Sequence, residues 1–161
     1  MEELIIRKGK IEDLPSVLEL AKELALYEKG LDQVTNTVER MKEDGFGDKP
    51  VFGFFVAENQ RGIVGVSIYY FRYSTWKGKR LYLEDIVVTE KERGKGIGKE
   101  LFESTLQQSL DEACTGMMFQ VLDWNEPAIN FYKKYDVAFD GGWINCGLEA
   151  GRIREILKKE G

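Results

Sequence analysis

The sequence predicts an alternating α/β domain, and three observations carry that prediction. Apolar, β-branched runs of strand length alternate along the chain with apolar stripes at helical spacing. A polar turn, Asn59-Gln60-Arg61-Gly62, separates two such runs and marks a hairpin. The stretch Leu81 to Lys99, LYLEDIVVTEKERGKGIGK, passes from an apolar run through a charged turn into a glycine-rich loop that opens an amphipathic helix.

In chain order, Leu4 to Arg7 is expected as a first strand. Leu14, Val17, Leu18, Ala21, Leu24 and Ala25 form the apolar stripe of a helix ending near Glu28. Asn36-x-x-Glu39 has the spacing of a capping box for a short second helix, stopped at Gly45. Val51 to Ala57 and Ile63 to Tyr73 are the two arms of the hairpin, and Leu81 to Val88 is a central strand. Ile97 to Glu112 is the helix behind the glycine loop, followed by a strand over Met117 to Leu122. Asn125 suits an N-cap and Pro127 a first turn, where its missing N–H costs nothing; Ala128, Ile129 and Tyr132 then recur at helical spacing. The tail from Trp143 ends in a charged helix, Arg152 to Lys159.

Composition sets the boundaries. With 161 residues, 43% of them hydrophobic, the chain is expected to form one domain over residues 1–161 with a sizeable core. It has no internal repeat or low-complexity tract, no apolar run long enough to span a bilayer and no signal-peptide pattern, so no membrane partner is expected. Cys114 and Cys146 lack metal-ligand spacing and there is no histidine, which excludes a histidine-based triad and a zinc site; no metal is expected. Two free thiols point to a reducing, cytoplasmic setting. A net charge of −5 argues against a nucleic-acid surface.

The glycine loop, Arg93-Gly94-Lys95-Gly96-Ile97-Gly98-Lys99, has the makings of a phosphate site. Its glycines let the backbone approach a ligand, and the first N–H groups of the following helix point outward with the positive end of the helix dipole behind them. Two common phosphate loops do not fit. GxxxxGK[ST] needs Ser or Thr where Glu100 stands, and GxGxxG needs its last glycine one residue after Gly98. A glycine-rich β-to-α turn that binds nothing is the plain alternative.

The spacing resembles the acetyl-CoA loop of the GNAT N-acetyltransferase superfamily, (Arg/Gln)-x-x-Gly-x-(Gly/Ala), with Arg93 one position late and Lys91 nearest the usual basic position. A second segment is similar to the family's Asn-x-x-Ala-x-x-Phe-Tyr, matching at Asn125, Ala128, Phe131 and Tyr132. Further stretches resemble one branch, the diamine (spermidine/spermine) and thialysine acetyltransferases: Tyr69-Tyr70-Phe71, Trp76-x-Gly78, Leu81-Tyr82-Leu83-Glu84-Asp85 and Trp124-Asn125-Glu126-Pro127. So do Glu23-Leu24-Ala25-x-Tyr27-Glu28 and Glu43-Asp44-Gly45-Phe46-Gly47. The resemblance runs from about Ile6 to Tyr135 and weakens where Asp136-Val137 replaces the usual Gly-Ala.

The resemblance implies the acyl-CoA N-acyltransferase fold: a mixed, mostly antiparallel central sheet, flanked by helices and splayed at its central strands. It implies acetyl-CoA as co-substrate, held by Arg93, Gly94, Lys95, Gly96, Ile97, Gly98 and Lys99, by backbone groups of Ile86, Val87 and Val88 along the pantetheine arm, and by Asn125, Pro127 and Tyr132. The acceptor is a primary amine on a small cationic molecule, a polyamine or diamine first, thialysine or a lysine-like amino acid second. A homodimer is implied by likeness alone. A non-catalytic acyl-CoA-binding module is the alternative of another class, and retention of Tyr132 and the paired carboxylates argues against it.

Acetyl transfer needs a neutral amine and a proton for the departing thiolate. Without histidine, the base must be a carboxylate, and Glu84 and Asp85 stand out because a carboxylate inside an apolar strand is costly to bury. Neighbours in a regular strand point to opposite faces, so both reach one pocket only if a bulge interrupts the pleat, which the resemblance supplies. Tyr27 and Glu28 extend this into an acidic wall by likeness to the same branch. Carboxylates attract an ammonium ion but also raise its pKa, which suggests a division of labour: some bind distal charges, while Glu84, through a water, takes the proton. Tyr132 matches the family's general acid. At reference values of about 10 for a phenol and about 8.5 for a thiol, full transfer is uphill by about 2 kcal/mol, so donation is partial or its pKa is lowered.

Overall fold

The structure, a computed structural model, describes residues 3–159. The chain divides into two compact units, Met1–Leu122 and Asp123–Gly161, and the expectation of one domain over residues 1–161 extends past the described residues at both ends.

The first unit is built on a five-stranded sheet in the order β1-β2-β3-β4-β5, with β1 Ile5–Lys8, β2 Gly53–Asn59, β3 Gly62–Ser74, β4 Gly78–Val88 and β5 Met117–Phe119. Neighbours run antiparallel from β1 to β4, and β5 joins β4 in parallel. This is the mixed, mostly antiparallel sheet that was expected. Period-2 alternation, shifted by one residue at Val64, which has no partner in β2, assigns the two faces. Phe54, Val56, Val66, Ile68 and Val87 pack under α1 (Leu14–Tyr27) and α2 (Val38–Phe46), with Leu14, Val17, Leu18, Leu20 and Met41. Phe55, Ala57, Val64, Tyr69 and Leu81 pack under α3 (Ile97–Asp111), with Ile97 and Leu101. The helix α3 comes close because Gly65 lies beneath it: a Cβ there would stand 2.9 Å from Leu101 Cδ1. Buried Thr105 Oγ1 then donates to Ser67 Oγ at 2.9 Å, tying α3 to β3.

Boundaries differ from expectation in three instructive places. The second helix is capped by Thr37, whose Oγ1 accepts from Arg40 N at 3.1 Å, while Asn36 Oδ1 accepts from Thr37 N. Glu39 therefore falls one position early for a capping box, and the helix runs through Gly45 to Phe46. Strand β5 stops at Phe119 rather than Leu122, since its ladder with β4 spans only Leu81 to Leu83. From Glu84 onward β4 pairs with β3 alone among the described strands, so the sheet opens between β4 and β5.

The second unit carries α4 (Glu126–Lys133) and α5 (Ala150–Lys159). Asn125 caps α4, its Oδ1 accepting from Ala128 N at 3.3 Å, with Pro127 in the first turn as expected. Asp136, where the family's glycine is missing, takes a left-handed φ of 57°. Aspartate tolerates that conformation better than most residues.

Candidate active site

Across β3 and β4, Ile68 lies opposite Asp85 and Tyr69 opposite Leu83, which leaves Glu84 with no partner residue. Glu84 is thus the extra residue of a β-bulge. Opposite residues of an antiparallel pair share a face. Asp85 therefore lies on the α1 side with Ile68, and Val87 continues that side. Tyr82 is opposite Tyr70, two residues along from Ile68, and so lies on the α1 side too, as does Glu84 two residues beyond Tyr82. The bulge brings both carboxylates to one face, which a regular pleat would forbid.

Glu28 joins them from the end of α1. There a Schellman cap closes the helix, with Gly30 N donating to Ala25 O at 2.8 Å, Lys29 N to Leu26 O at 3.1 Å, and Lys29 at φ 64°. Glu28 is the C-cap residue of that motif, so its backbone is held at a defined place. The three carboxylates share one field. Burial, then the charges of Glu84 and Glu28, push the Asp85 carboxyl up to about 6. Partial desolvation raises Glu28 as well. Tyr70 and Tyr82, their rings 5.1 Å apart, are raised by burial and by the Glu84 charge, which sets an aromatic pair beside the exposed Glu84. Tyr27, 42% exposed, is the residue before Glu28. An acidic wall of Glu28, Glu84 and Asp85 can attract and desolvate a cationic group, and Asp85 is poised to exchange a proton near neutral pH.

The glycine loop follows a short 3-10 turn at Glu90–Glu92 and enters α3 at Gly96. Gly94 and Gly96 have φ of 79° and 82°, conformations that L-residues rarely adopt, and a Cβ on either would meet nothing within 4 Å. An exposed, left-handed glycine pair at the N-terminus of a 15-residue helix fits a pyrophosphate approached by backbone N–H groups. The side chains around it are engaged elsewhere. Arg93 Nε donates to Val88 O at 2.9 Å and its Nη2 lies 3.7 Å from Glu23 Oε1. Lys95 Nζ lies 2.8 Å from Glu92 Oε2, and Lys99 Nζ 3.8 Å from Glu103 Oε2. Ile97 is a core residue, 3% exposed, so its side chain faces away from any ligand. The side chains of Ile86 and Val88 pack toward α3, and Val87 toward α1, leaving their backbone on the opened side of β4 as the surface for the pantetheine arm. Gly98 sits against this strand, its Cβ position 3.9 Å from Val88 Cγ2.

The contacts of two residues beside the loop escape sequence reasoning. Glu23, on α1, accepts from Thr89 Oγ1 at 3.0 Å and Glu90 N at 2.9 Å, fastening α1 to the turn before the loop. Glu92 is 1% exposed and paired with Arg61 and Lys95. Glu23 falls in a stretch that resembles the branch, but nothing in the sequence marks its contacts with Thr89 and Glu90 or the pairing of Glu92 with Arg61, because those partners lie on distant elements. In the second unit, Tyr132 lies on α4 with its ring 5.4 Å from Phe131, whose ring in turn lies 5.6 Å from that of Tyr135 in a tilted contact.

The model of the Acetyltransferase (GNAT) family matches residues 15–136. Thialysine N-epsilon-acetyltransferase of Sus scrofa is 38% identical over 170 residues, covering 99% of this chain and 100% of that protein. Spermidine/spermine N(1)-acetyltransferase-like protein 1 of Homo sapiens is 38% identical over 153 residues, covering 89% of this chain and 22% of that longer protein. Among solved structures, an aminoglycoside N-acetyltransferase in complex with CoA superposes with a TM-score of 0.72 at 15% identity, covering 93% of this chain and 97% of that one. At that identity the likeness concerns the fold.

Proposed function

The chain belongs to the acetyltransferase (GNAT) family and is an acetyl-CoA-dependent N-acetyltransferase, and on that premise we propose that its acceptor is a small molecule with at least two positive charges, acetylated on a primary amine. A polyamine or diamine is the first reading. The observation that carries it is the convergence of Glu28, Glu84 and Asp85 in one field, where the charges of Glu84 and Glu28 add to burial in raising the Asp85 carboxyl to about 6. A fixed cluster of like charges that destabilises itself is relieved by a dication.

In this reading Glu28 and Asp85 bind the distal ammonium, and Glu84, an exposed residue, takes the proton from the reacting nitrogen through a water. Tyr132, assigned by its match to the family motif, gives a proton to the departing thiolate. Backbone N–H groups at Gly94 to Gly98 hold the pyrophosphate, and the backbone of Ile86 to Val88 the pantetheine arm. Asn125 and Pro127 serve by starting the helix that carries Tyr132. The family match crosses the division after Leu122, which supports reading the chain as one catalytic domain. A cytoplasmic homodimer is the setting proposed, on the free cysteines and on likeness to the branch.

Thialysine or a lysine-like amino acid is the second reading, favoured by relatives of that name that match almost the whole chain. Such a substrate carries a carboxylate the acidic wall would repel, and therefore needs a cation nearby. Arg72, on the Tyr70 side of β3 with its Cζ 5.9 Å from the Tyr82 ring, is the nearest charge of that sign to the aromatic pair. Release of free thiol from acetyl-CoA with diamines, monoamines of equal length and thialysine tests both. Preference for diamines supports the first reading. Preference for thialysine, lost in Arg72→Ala while diamine turnover persists, supports the second.

A further inference from the structure

Glu92 has an environment that the transfer chemistry does not explain. Its side chain is 1% exposed, yet the two cations against it, Arg61 and Lys95, are 59% and 47% exposed. The carboxylate thus lies just beneath the surface under a cover made of its own partners. Oε1 takes Arg61 Nη1 at 2.6 Å and Oε2 takes Lys95 Nζ at 2.8 Å, so both oxygens are satisfied and the pair of cations holds the carboxyl below its usual range. A carboxylate covered in this way persists only while both partners stay.

The partners come from different parts of the chain. Arg61 belongs to the turn joining β2 and β3, and its backbone N–H is fixed by Asn59 Oδ1 at 2.8 Å. Lys95 stands between Gly94 and Gly96, the two left-handed residues of the loop. A lysine flanked by two glycines sits in a segment with little intrinsic backbone restraint. Its ion pair with Glu92 ties that segment through Glu92 to the hairpin turn.

We propose that Glu92 is a positioning residue for acetyl-CoA, holding Lys95 and Arg61 so that the Gly94–Gly96 loop is already in its receiving shape before the pyrophosphate arrives. The inference rests on the reading that this loop binds acetyl-CoA. Ordering a rotamer-rich side chain on binding costs about 0.5–1.5 kcal/mol, and a loop already ordered avoids that cost. The alternative is competition, with Glu92 withholding Lys95 from the phosphates.

Calorimetry with CoA and steady-state kinetics on the full chain separate these. Glu92→Gln keeps the shape and removes the charge. The expected result is a Kd for CoA and a KM for acetyl-CoA raised about three- to tenfold, with kcat and the KM for the amine unchanged. Lys95→Met should shift the same constants, and the double variant should be no worse than the more impaired single one, since one device is removed either way. Unchanged or tighter CoA binding in folded Glu92→Gln overturns the proposal. If Glu92→Gln does not fold, Arg61→Gln, which removes only an outer partner, carries the test: a raised KM for acetyl-CoA supports the proposal and an unaltered one overturns it. Gly96→Val keeps the two levels apart. Wild-type CoA affinity there refutes the loop as the cofactor site. Lost affinity there, beside intact affinity in Glu92→Gln, refutes the role of Glu92 alone.

Discussion

Tyr132 and the three carboxylates allow predictions that turn on single atoms. Tyr132→Phe removes one hydroxyl and leaves the ring against Phe131. Turnover should fall about 100- to 10,000-fold with CoA affinity retained; near-normal turnover, with chemistry shown to be rate-limiting, would take the acid role away from Tyr132. Glu28→Gln and Glu84→Gln should separate binding from proton transfer. The first raises KM for a diamine and spares a monoamine, whereas the second lowers kcat for both. Asp85 makes a prediction about stability. A carboxyl raised from 3.8 in the unfolded chain to about 6 in the fold favours folding only while protonated. Its ionisation therefore opposes folding, an effect absent below about pH 4 and complete above about pH 6, worth up to about 3 kcal/mol. Asp85→Asn should be more stable than wild type at pH 7.5 and not at pH 4, as denaturant midpoints at the two values will show. Glu84 and Asp85 were legible as candidates, since carboxylates stand out in an apolar run. Their shared face was not, because a bulge leaves no mark on a period-2 pattern; only family likeness anticipated it.

At the level of elements, strands and helices appear where the apolar patterns put them, and the errors fall at ends. Thr37 and Asn36 are both good caps, and which one serves depends on whose side-chain oxygen reaches a first-turn N–H, a choice spacing alone does not make. The loop was legible from its glycines, while the engagement of Arg93 by Val88 and Glu23 was not, being contacts between distant elements. Gly96→Val should cost about 1–2 kcal/mol of stability through its φ of 82° and weaken CoA binding at least about tenfold. Titration calorimetry and a thermal melt read the two effects separately. The end of α3 offers a gain. Its Schellman cap, with Cys114 N donating to Ser109 O at 2.9 Å, places Ala113 at φ 57° where glycine is usual. Ala113→Gly removes a strained Cβ worth about 1–2 kcal/mol and gives back about 0.4–1 kcal/mol in unfolded-chain entropy. A net gain of about 0.5–1 kcal/mol in denaturant unfolding is expected.

Taken as a whole, the molecule places an acidic wall on a chain of net charge −5, so its field extends beyond the contact residues. The preference for a dication over a monoamine of equal length should therefore shrink as salt rises, since exposed charges are screened over about 8 Å at physiological ionic strength. A preference flat from low to high salt would mean recognition by shape instead. The bulge in β4 has a consequence for the same architecture. Before it, odd-numbered residues such as Leu81 face α3; after it, Ile86 and Val88 do, and the odd-numbered Val87 faces α1. Parity changes at Glu84 and nowhere else in β4. Deleting Glu84 should therefore leave every core side chain on its own side, with Leu83 and Asp85 now adjacent opposite Tyr69 and Ile68. Deleting Ile86 instead should either invert one half of the strand or draw Asp85 into the α3-facing place of Ile86, and both outcomes should severely destabilise the fold. Within β4 the bulge is thus the place where a codon can be lost without scrambling either core, and it holds the carboxylate proposed to move the proton.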